Sequence, residues 1–201
     1  MKASIILSTY NRPQALLTVL EALKLQTIQD FEVCIADDGS TKDTQQIIEN
    51  FQQKSAFPIL HAWQDDRGFR AASARNNAVR MSSGNYLLFL DGDCIPRPNW
   101  IHQHLTLSEK HAFVAGNRVL LDETLSHAIE THRIPFTDLF GLNVLRHKDH
   151  INRLIPLLLN LYRKNRAYKI FLLLSRTKCN KKIELLRMIE RKPLKRAKKL
   201  S

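Results

Sequence analysis

Two aspartates separated by one glycine, Asp91-Gly92-Asp93, follow a continuous apolar run, Tyr86-Leu87-Leu88-Phe89-Leu90. A run of that kind reads as a strand buried on both faces. It delivers both carboxylates at its carboxyl end, with Gly92 letting the backbone turn tightly between them. Like charges about 5 Å apart repel by roughly 3 kcal/mol at an effective dielectric of about 20. A divalent cation removes that cost. Hard Mg2+ or Mn2+ takes one or two protein carboxylates and completes its shell with water and phosphate oxygens, so the arrangement suits a metal–diphosphate complex. A solvated Asp-Gly turn is the plain alternative for an isolated Asp-x-Asp; the place after a buried strand favours the cation.

Three further polar clusters invite the same question. Ser8-Thr9-Tyr10-Asn11-Arg12 follows the first apolar run, and Tyr10 is either a surface tyrosine in a turn or a flat ring on which a base stacks. In Asp37-Asp38-Gly39-Ser40, Ser40 caps a helix, Gly39 supplies an unusual φ and the acids complement the helix dipole. That account leaves one acid over, and a carboxylate at a strand end also accepts from a nucleobase or ribose. The segment from Asp65 to Asn77 places Arg67, Arg70 and Arg75 near Gly68 and a helix start. Arginine forks and helix-start amides favour diphosphate oxygens, whereas Arg67 and Arg70 paired with Asp65 and Asp66 would be an ordinary surface arrangement.

The elements that must position these clusters alternate between short apolar runs and helical patterns, the signature of βαβ units around a mostly parallel sheet. Strands are expected over Ala3 to Leu7, Glu32 to Asp37, Ile59 to Trp63, Tyr86 to Leu90 and Ala112 to Leu120. Leu16, Val19, Leu20 and Leu23 recur at helical spacing and predict a helix over Pro13 to Gln26, capped by Asn11. Further helices are expected over Thr41 to Gln53 behind a Ser40 cap, Phe69 to Met81 and Asn99 to Glu109. Ligand sites in such sheets form beyond the carboxyl ends of the strands, where the clusters lie.

The 201 residues contain 44% hydrophobic and 25% charged residues with 7 Pro and 6 Gly, a globular composition that excludes collagenous and wholly disordered classes. The formal charge of +12 is unevenly spread. Residues 1 to 130 carry 12 Lys and Arg against 15 Asp and Glu, and residues 131 to 201 carry 19 against 4, net +15. Around Ile170 to Leu174 and Ile183 to Ile189 the apolar clusters are interleaved with Lys and Arg, which reads as one or two basic amphipathic helices. A soft boundary near residue 130 therefore separates an acidic α/β body, 1–130, from a basic, mainly helical tail, 131–201. Three scattered cysteines, Cys34, Cys94 and Cys179, support neither a disulfide framework nor a zinc site and fit a reducing cytosol. The amino-terminal residues offer too little for a signal peptide, and the apolar stretches are too short to span a bilayer. Nucleic-acid binding would rest on charge alone, and no specific nucleic acid is expected. No Gly-x-Gly-x-x-Gly follows the first strand, which disfavours a dinucleotide-dependent dehydrogenase.

Taken together, Ser8-Thr9-Tyr10-Asn11-Arg12, Asp37-Asp38-Gly39-Ser40, Gly68 through Asn76 and Asp91-Gly92-Asp93, in this order and spacing, resemble glycosyltransferase family 2 over roughly residues 3 to 120. The likeness is closest to bacterial enzymes of lipopolysaccharide or capsular polysaccharide synthesis, in part through the run from Asp91 to Trp100. The resemblance implies a GT-A fold, a Rossmann-like nucleotide-binding α/β domain, and transfer of a sugar from a nucleotide-sugar donor, with UDP the commoner nucleotide, with inversion at the anomeric carbon. It implies that Ser8, Tyr10 and Asp38 contact the nucleoside, Asp38 at the base, and that Arg75 lies near the diphosphate. Asp91 would contact ribose or metal, and Asp93 would coordinate Mn2+ or Mg2+.

One departure stands out. Similar enzymes carry a Trp-Gly-x-Glu-Asp segment whose carboxylate deprotonates the acceptor hydroxyl, and the acids after Asp93 (Glu109, Asp122, Glu123, Glu130, Asp138, Asp149, Glu184, Glu190) lie in no such context. Two expectations follow. One is a glycosyltransferase acting on a cell-surface glycan or lipid-linked acceptor, cytoplasmic and held at the inner face of the membrane by its basic tail. The other is a catalytically defective nucleotide-sugar-binding remnant of a truncated or frame-altered gene product.

Overall fold

The apolar runs Ala3–Thr9 (β1) and Phe31–Asp37 (β2) are buried almost throughout, as strands covered on both faces must be. With Ile59–Trp63 (β3) and Tyr86–Asp91 (β4) they form a wholly parallel sheet in the order β3-β2-β1-β4. The computed structural model describes residues 2–109, 112–116 and 118–152, which fall in one compact unit, Met1–Leu161. The expected basic helices of the carboxyl-terminal segment lie outside the described residues. Among the described residues no helix is long and apolar enough to cross a membrane.

Strand alternation sorts the core into two layers. Ile5, Leu7, Val33, Ile35 and Leu88 point to one face, against the helices Pro13–Lys24 (α1), Lys42–Gln52 (α2) and Trp100–Leu107 (α4). The apolar stripe of α1, Leu16, Val19, Leu20 and Leu23, is fully buried there. Ile6, Cys34, Ala36 and Ala62 point to the other face, against Ala74 and Ala78 of Ala71–Met81 (α3). Two alanines where a helix meets a sheet let the backbones approach closely. The sheet is thus flanked by helices on both faces, the α/β arrangement expected for a GT-A domain. The chain winds outward through β1, β2 and β3 and then returns under the sheet through α3 to β4, on the other side of β1. The reversal leaves the crevice in which ligands of such sheets bind between the ends of β1 and β4.

Several expectations are corrected. The run Tyr86 to Leu90 is not buried on both faces: β4 is an edge strand of the sheet, Leu88 is its buried residue, and Phe89 is exposed, because no further strand covers that edge among the described residues. The fifth strand over Ala112 to Leu120 does not form: the described residues 112–116 and 118–119 are irregular. Only Leu120–Leu121 (β5) pairs, antiparallel to Ile151–Asn152 (β6), in a separate ribbon. The run has no alternation to hold it against an edge strand, Gly116 interrupts it, and Phe113 is exposed. Asn11 does not cap α1, whose N-cap is Arg12 with Pro13 following; Asn11 has φ 49° and accepts instead from the Thr41 amide at 2.9 Å. Ser40 does not cap α2 either. Thr41 holds that position, and Ser40 Oγ accepts from the Asn11 amide at 3.0 Å. Both residues cross-link two loops, a long-range role that local sequence cannot announce. Helix α3 starts at Ala71 rather than Phe69, because Gly68 (φ 81°) keeps the preceding loop open.

Beyond α4, the helix Glu123–Glu130 (α5) is capped by Asp122, whose carboxylate accepts from the Leu125 amide at 2.9 Å. Its Leu125 and Ile129 pack with Val144 and Ile151 in a separate apolar cluster that joins residues on both sides of position 130. The 3-10 segments Phe136–Leu139 and Gly141–His150 carry part of it.

At the amino-terminal edge of the sheet, Glu32 is buried and fully engaged. Its carboxylate accepts from Ser4 Oγ (2.6 Å), the Ser83 amide (2.5 Å), Ser83 Oγ (2.8 Å) and the Gly84 amide (3.2 Å), and Lys2 Nζ lies 3.2 Å away. Burial alone would raise its pKa, but Ser4, Ser83 and Lys2 together hold it at about 2. The folded pKa lies below the ordinary value of 4.5, so the stabilisation is complete above pH 4.5 and is lost as pH falls toward 2. A shift of that size corresponds to about 3 kcal/mol. Glu32→Gln should therefore lower stability at pH 7 by a similar amount and flatten the acid limb of denaturant-melting midpoints between about pH 4.5 and 2. An unchanged acid limb in the variant would show that Glu32 does not govern it.

Candidate functional site

Register brings the polar clusters to one edge. Ser8 pairs with Asp91 across β1 and β4, and Thr9 pairs with Asp37 across β1 and β2, so the two acidic strand ends flank β1. Glycines permit the close packing of the loops that follow. A Cβ on Gly92 would lie 2.6 Å from the Ser8 carbonyl oxygen, which accepts from the Gly92 amide at 2.7 Å. Close approach, rather than an unusual φ, is what glycine serves at that position. Gly39 does both: its φ is 96°, and a Cβ there would meet the Asp66 backbone at 2.6 Å.

Asp91, Arg75 and Ser8 form the centre of the crevice. Arg75 Nη2 donates to Asp91 Oδ1 at 2.9 Å and to Ser8 Oγ at 3.0 Å, while Ser8 Oγ lies 3.2 Å from the same carboxylate oxygen. Arg118 Nη1 faces the other oxygen, Asp91 Oδ2, at 3.6 Å. Asp93, two residues on, has its side chain 52% exposed and Arg12 Nη1 at 3.6 Å; Arg12 also pairs with Glu130 of α5. Burial, with Asp93 and Asp91 adding, pushes the Cys94 thiol up to about 11, which keeps it protonated beside the acids.

The acids after β2 are used differently. Asp37 is fully buried; its oxygens meet His61 Nε2 at 2.9 Å and the Ser40 amide at 2.8 Å. Burial would raise its pKa, but His61 and Ser40 outweigh it and leave it below the ordinary range. Asp38 Oδ1 accepts from Gln64 Nε2 at 2.6 Å, and Oδ2 accepts from the Arg70 amide at 2.7 Å, the residue that opens α3. The acid left over in the sequence thus has a structural use. Gln64 in turn accepts from Ser73 Oγ and Asn77 Nδ2 of α3, at 3.0 and 3.1 Å. Tyr10 donates to Asp66 Oδ2 at 2.9 Å, and that hydrogen bond raises its pKa; the side chain stays half-exposed.

The structure therefore brings Ser8, Arg75 and Asp91 into direct contact and sets Asp93 beside them. Tyr10 and Asp38 lie on neighbouring loops of the same edge. Arg67 pairs with Asp65 at 3.1 Å, the ordinary surface arrangement, whereas Arg70 donates to the Asp65 backbone carbonyl rather than to a carboxylate. Gln64, His61 and Arg118 were missed. Gln64 follows β3 immediately and the strand-end rule could have found it; for Arg118 the sequence holds no signal, since its segment reads as a strand. As a cation site the donor set is chemically suitable: half-exposed Asp93 offers hard oxygens, and Asp91, already held by Arg75, can offer only Oδ2. Among the described residues no group of three or more His, Cys, Asp or Glu gathers as a metal cluster, so water and substrate oxygens would complete the shell.

Architecture and edge define a doubly wound α/β domain with an acid–arginine site at its switch point. The chain belongs to Glycosyl transferase family 2, which matches residues 4–174. It is 36% identical to the hyaluronan synthase of Pasteurella multocida over 122 residues, 59% of this chain and 12% of that protein. It is also 36% identical to the validoxylamine A glucosyltransferase of Streptomyces hygroscopicus subsp. jinggangensis over 120 residues, 59% of this chain and 27% of that protein. The match thus spans well under half the length of these relatives. Among solved structures, TarS 1-349 of S. aureus in complex with UDP is similar at 29% identity and a TM-score of 0.46, over 53% of this chain and 31% of that one.

The contact between Gly92 and Ser8 yields a direct test of this assembly. Gly92→Ala must push the β4 loop off β1 and should cost about 1–3 kcal/mol, as overpacking does, while displacing Asp91 and Asp93. Thermal melting of the variant checks the first effect. A melting temperature equal to that of the parent chain would show that the loop yields without strain.

Proposed function

We propose that the chain binds a nucleotide sugar, UDP-linked, at the β1–β4 crevice and transfers the sugar with inversion to a cell-surface glycan or lipid-linked acceptor. The observation that carries this is the Ser8–Arg75–Asp91 contact with Asp93 beside it, in a chain of this family. In this reading the Tyr10 ring stacks on the base, and Asp38, whose two oxygens each retain a lone pair, accepts an N–H from it. Ser8 and Asp91 set the orientation of Arg75, whose remaining N–H groups meet the diphosphate. Asp93, with Asp91 Oδ2, would hold Mn2+ or Mg2+. When bound, that ion neutralises charge developing on the leaving nucleoside diphosphate.

Calorimetry with UDP and Mn2+, beside a donor-hydrolysis and transfer assay, tests the reading. Metal-dependent binding with turnover supports the enzyme; binding without turnover leaves a donor-binding module. Asp93→Ala should abolish the metal dependence of UDP binding with little change in melting temperature, because the side chain is half-exposed and its Arg12 contact is weak. UDP affinity that keeps its Mn2+ dependence would move the cation elsewhere.

The net +15 of residues 131 to 201 supports a location at an anionic membrane surface, the inner face of a bacterial cell membrane. Each Lys or Arg near such a surface contributes about 1 kcal/mol. Flotation with anionic liposomes should show binding that salt reverses and that deletion beyond Arg163 removes. Binding unchanged by either treatment counts against the location.

A further inference from the structure

Arg118 enters the crevice from the irregular stretch between α4 and β5, outside all four polar clusters. The two guanidiniums on Asp91 are held unequally. Arg75 is three-quarters buried, sits at hydrogen-bond distance and is shared with Ser8. Arg118 is 67% exposed and lies 3.6 Å from Oδ2, beyond hydrogen-bond range. Exposed ion pairs of this length contribute little, so leaving Asp91 costs Arg118 little. A phosphate offers a guanidinium two parallel charge-assisted bonds, which are much stronger. Charge accounting points the same way. Asp91 and Asp93 face Arg75 and Arg118, with Arg12 committed to Glu130 at the shorter distance, so the crevice is balanced. An incoming diphosphate gains from a guanidinium released by a carboxylate, and Arg118, held less tightly than Arg75, is placed to supply one.

We propose that Arg118 is a diphosphate ligand of the donor site, exchanging Asp91 Oδ2 for phosphate oxygens when a nucleoside diphosphate binds. This rests on the donor-site reading above and deepens it. The exchange also frees Asp91 Oδ2 for the ribose or the cation, which Arg118 otherwise faces.

The test uses the full chain and four proteins: the parent, Arg118→Ala, Arg118→Lys and, as a charge control, Arg80→Ala at the far end of α3. Binding of UDP and of uridine is measured by calorimetry and ligand-observed NMR, with and without Mn2+, after thermal melting confirms folding. Arg118→Ala should weaken UDP about 10- to 100-fold, the loss expected for charge-assisted bonds, and leave uridine within about twofold. Arg118→Lys should recover part of the loss, since it restores charge without the fork; Arg80→Ala should change neither ligand. Equal weakening of UDP and uridine would mean that Arg118 only holds Asp91 in place, and the proposal falls. UDP affinity within about twofold of the parent overturns it as well. A parent chain that binds no UDP overturns the donor reading itself, a different result from parent binding that Arg118→Ala leaves intact.

Discussion

Four carboxylates share one edge of a parallel sheet, and the way each is neutralised decides what the rest of the domain can do. Asp37, innermost, is clamped by His61 and the Ser40 amide; Asp38 is clamped by Gln64 and the Arg70 amide. These bonds tie the loop after β2 to the loop after β3 and to the start of α3. Asp91 is shared between a tight arginine and a loose one, and Asp93 is met by a single arginine at 3.6 Å. Satisfaction falls from the interior outward. Buried charges must be paired or hydrogen-bonded to persist, so the inner acids act as struts, Asp38 with one lone pair left on each oxygen, and the outer ones keep more coordination capacity.

Topology explains why this happens between β1 and β4. Winding outward and then returning beneath the sheet leaves the helices on opposite faces at that point, the place where ligands of such sheets bind. Gly39 and Gly92 close the remaining gaps, the one against Asp66 and the other against Ser8, so the loops are joined by backbone contact as well as by side chains. Asn11 and Ser40, bonded across the same loops, add to that frame.

The opposite edge of the sheet shows the same chemistry put to a different end. Glu32 gathers hydroxyls, amides and Lys2 until no oxygen is left for a ligand, and its pKa of about 2 records how completely it is paired. A fully satisfied acid stabilises the fold; an acid with capacity to spare is available for binding. The contrast lies in the number of donors around each carboxylate, a property of neighbours distant in the chain.

Residue types and spacing by themselves determined four parallel strands, four helices of the sheet domain and the edge on which the polar clusters lie. Those features follow from local periodicity, which the chain carries wherever it goes. Element ends were less legible: Gly68 delays α3, and the apolar stretch over Ala112 to Leu120 finds no partner edge. Only tertiary structure decided that Asp38 braces α3, that Asn11 and Ser40 link loops instead of capping helices, and that Arg118 reaches Asp91. Each depends on which oxygen meets which donor after the sheet has formed, and a carboxylate's partners 26 to 32 residues away leave no periodic trace in the sequence around it.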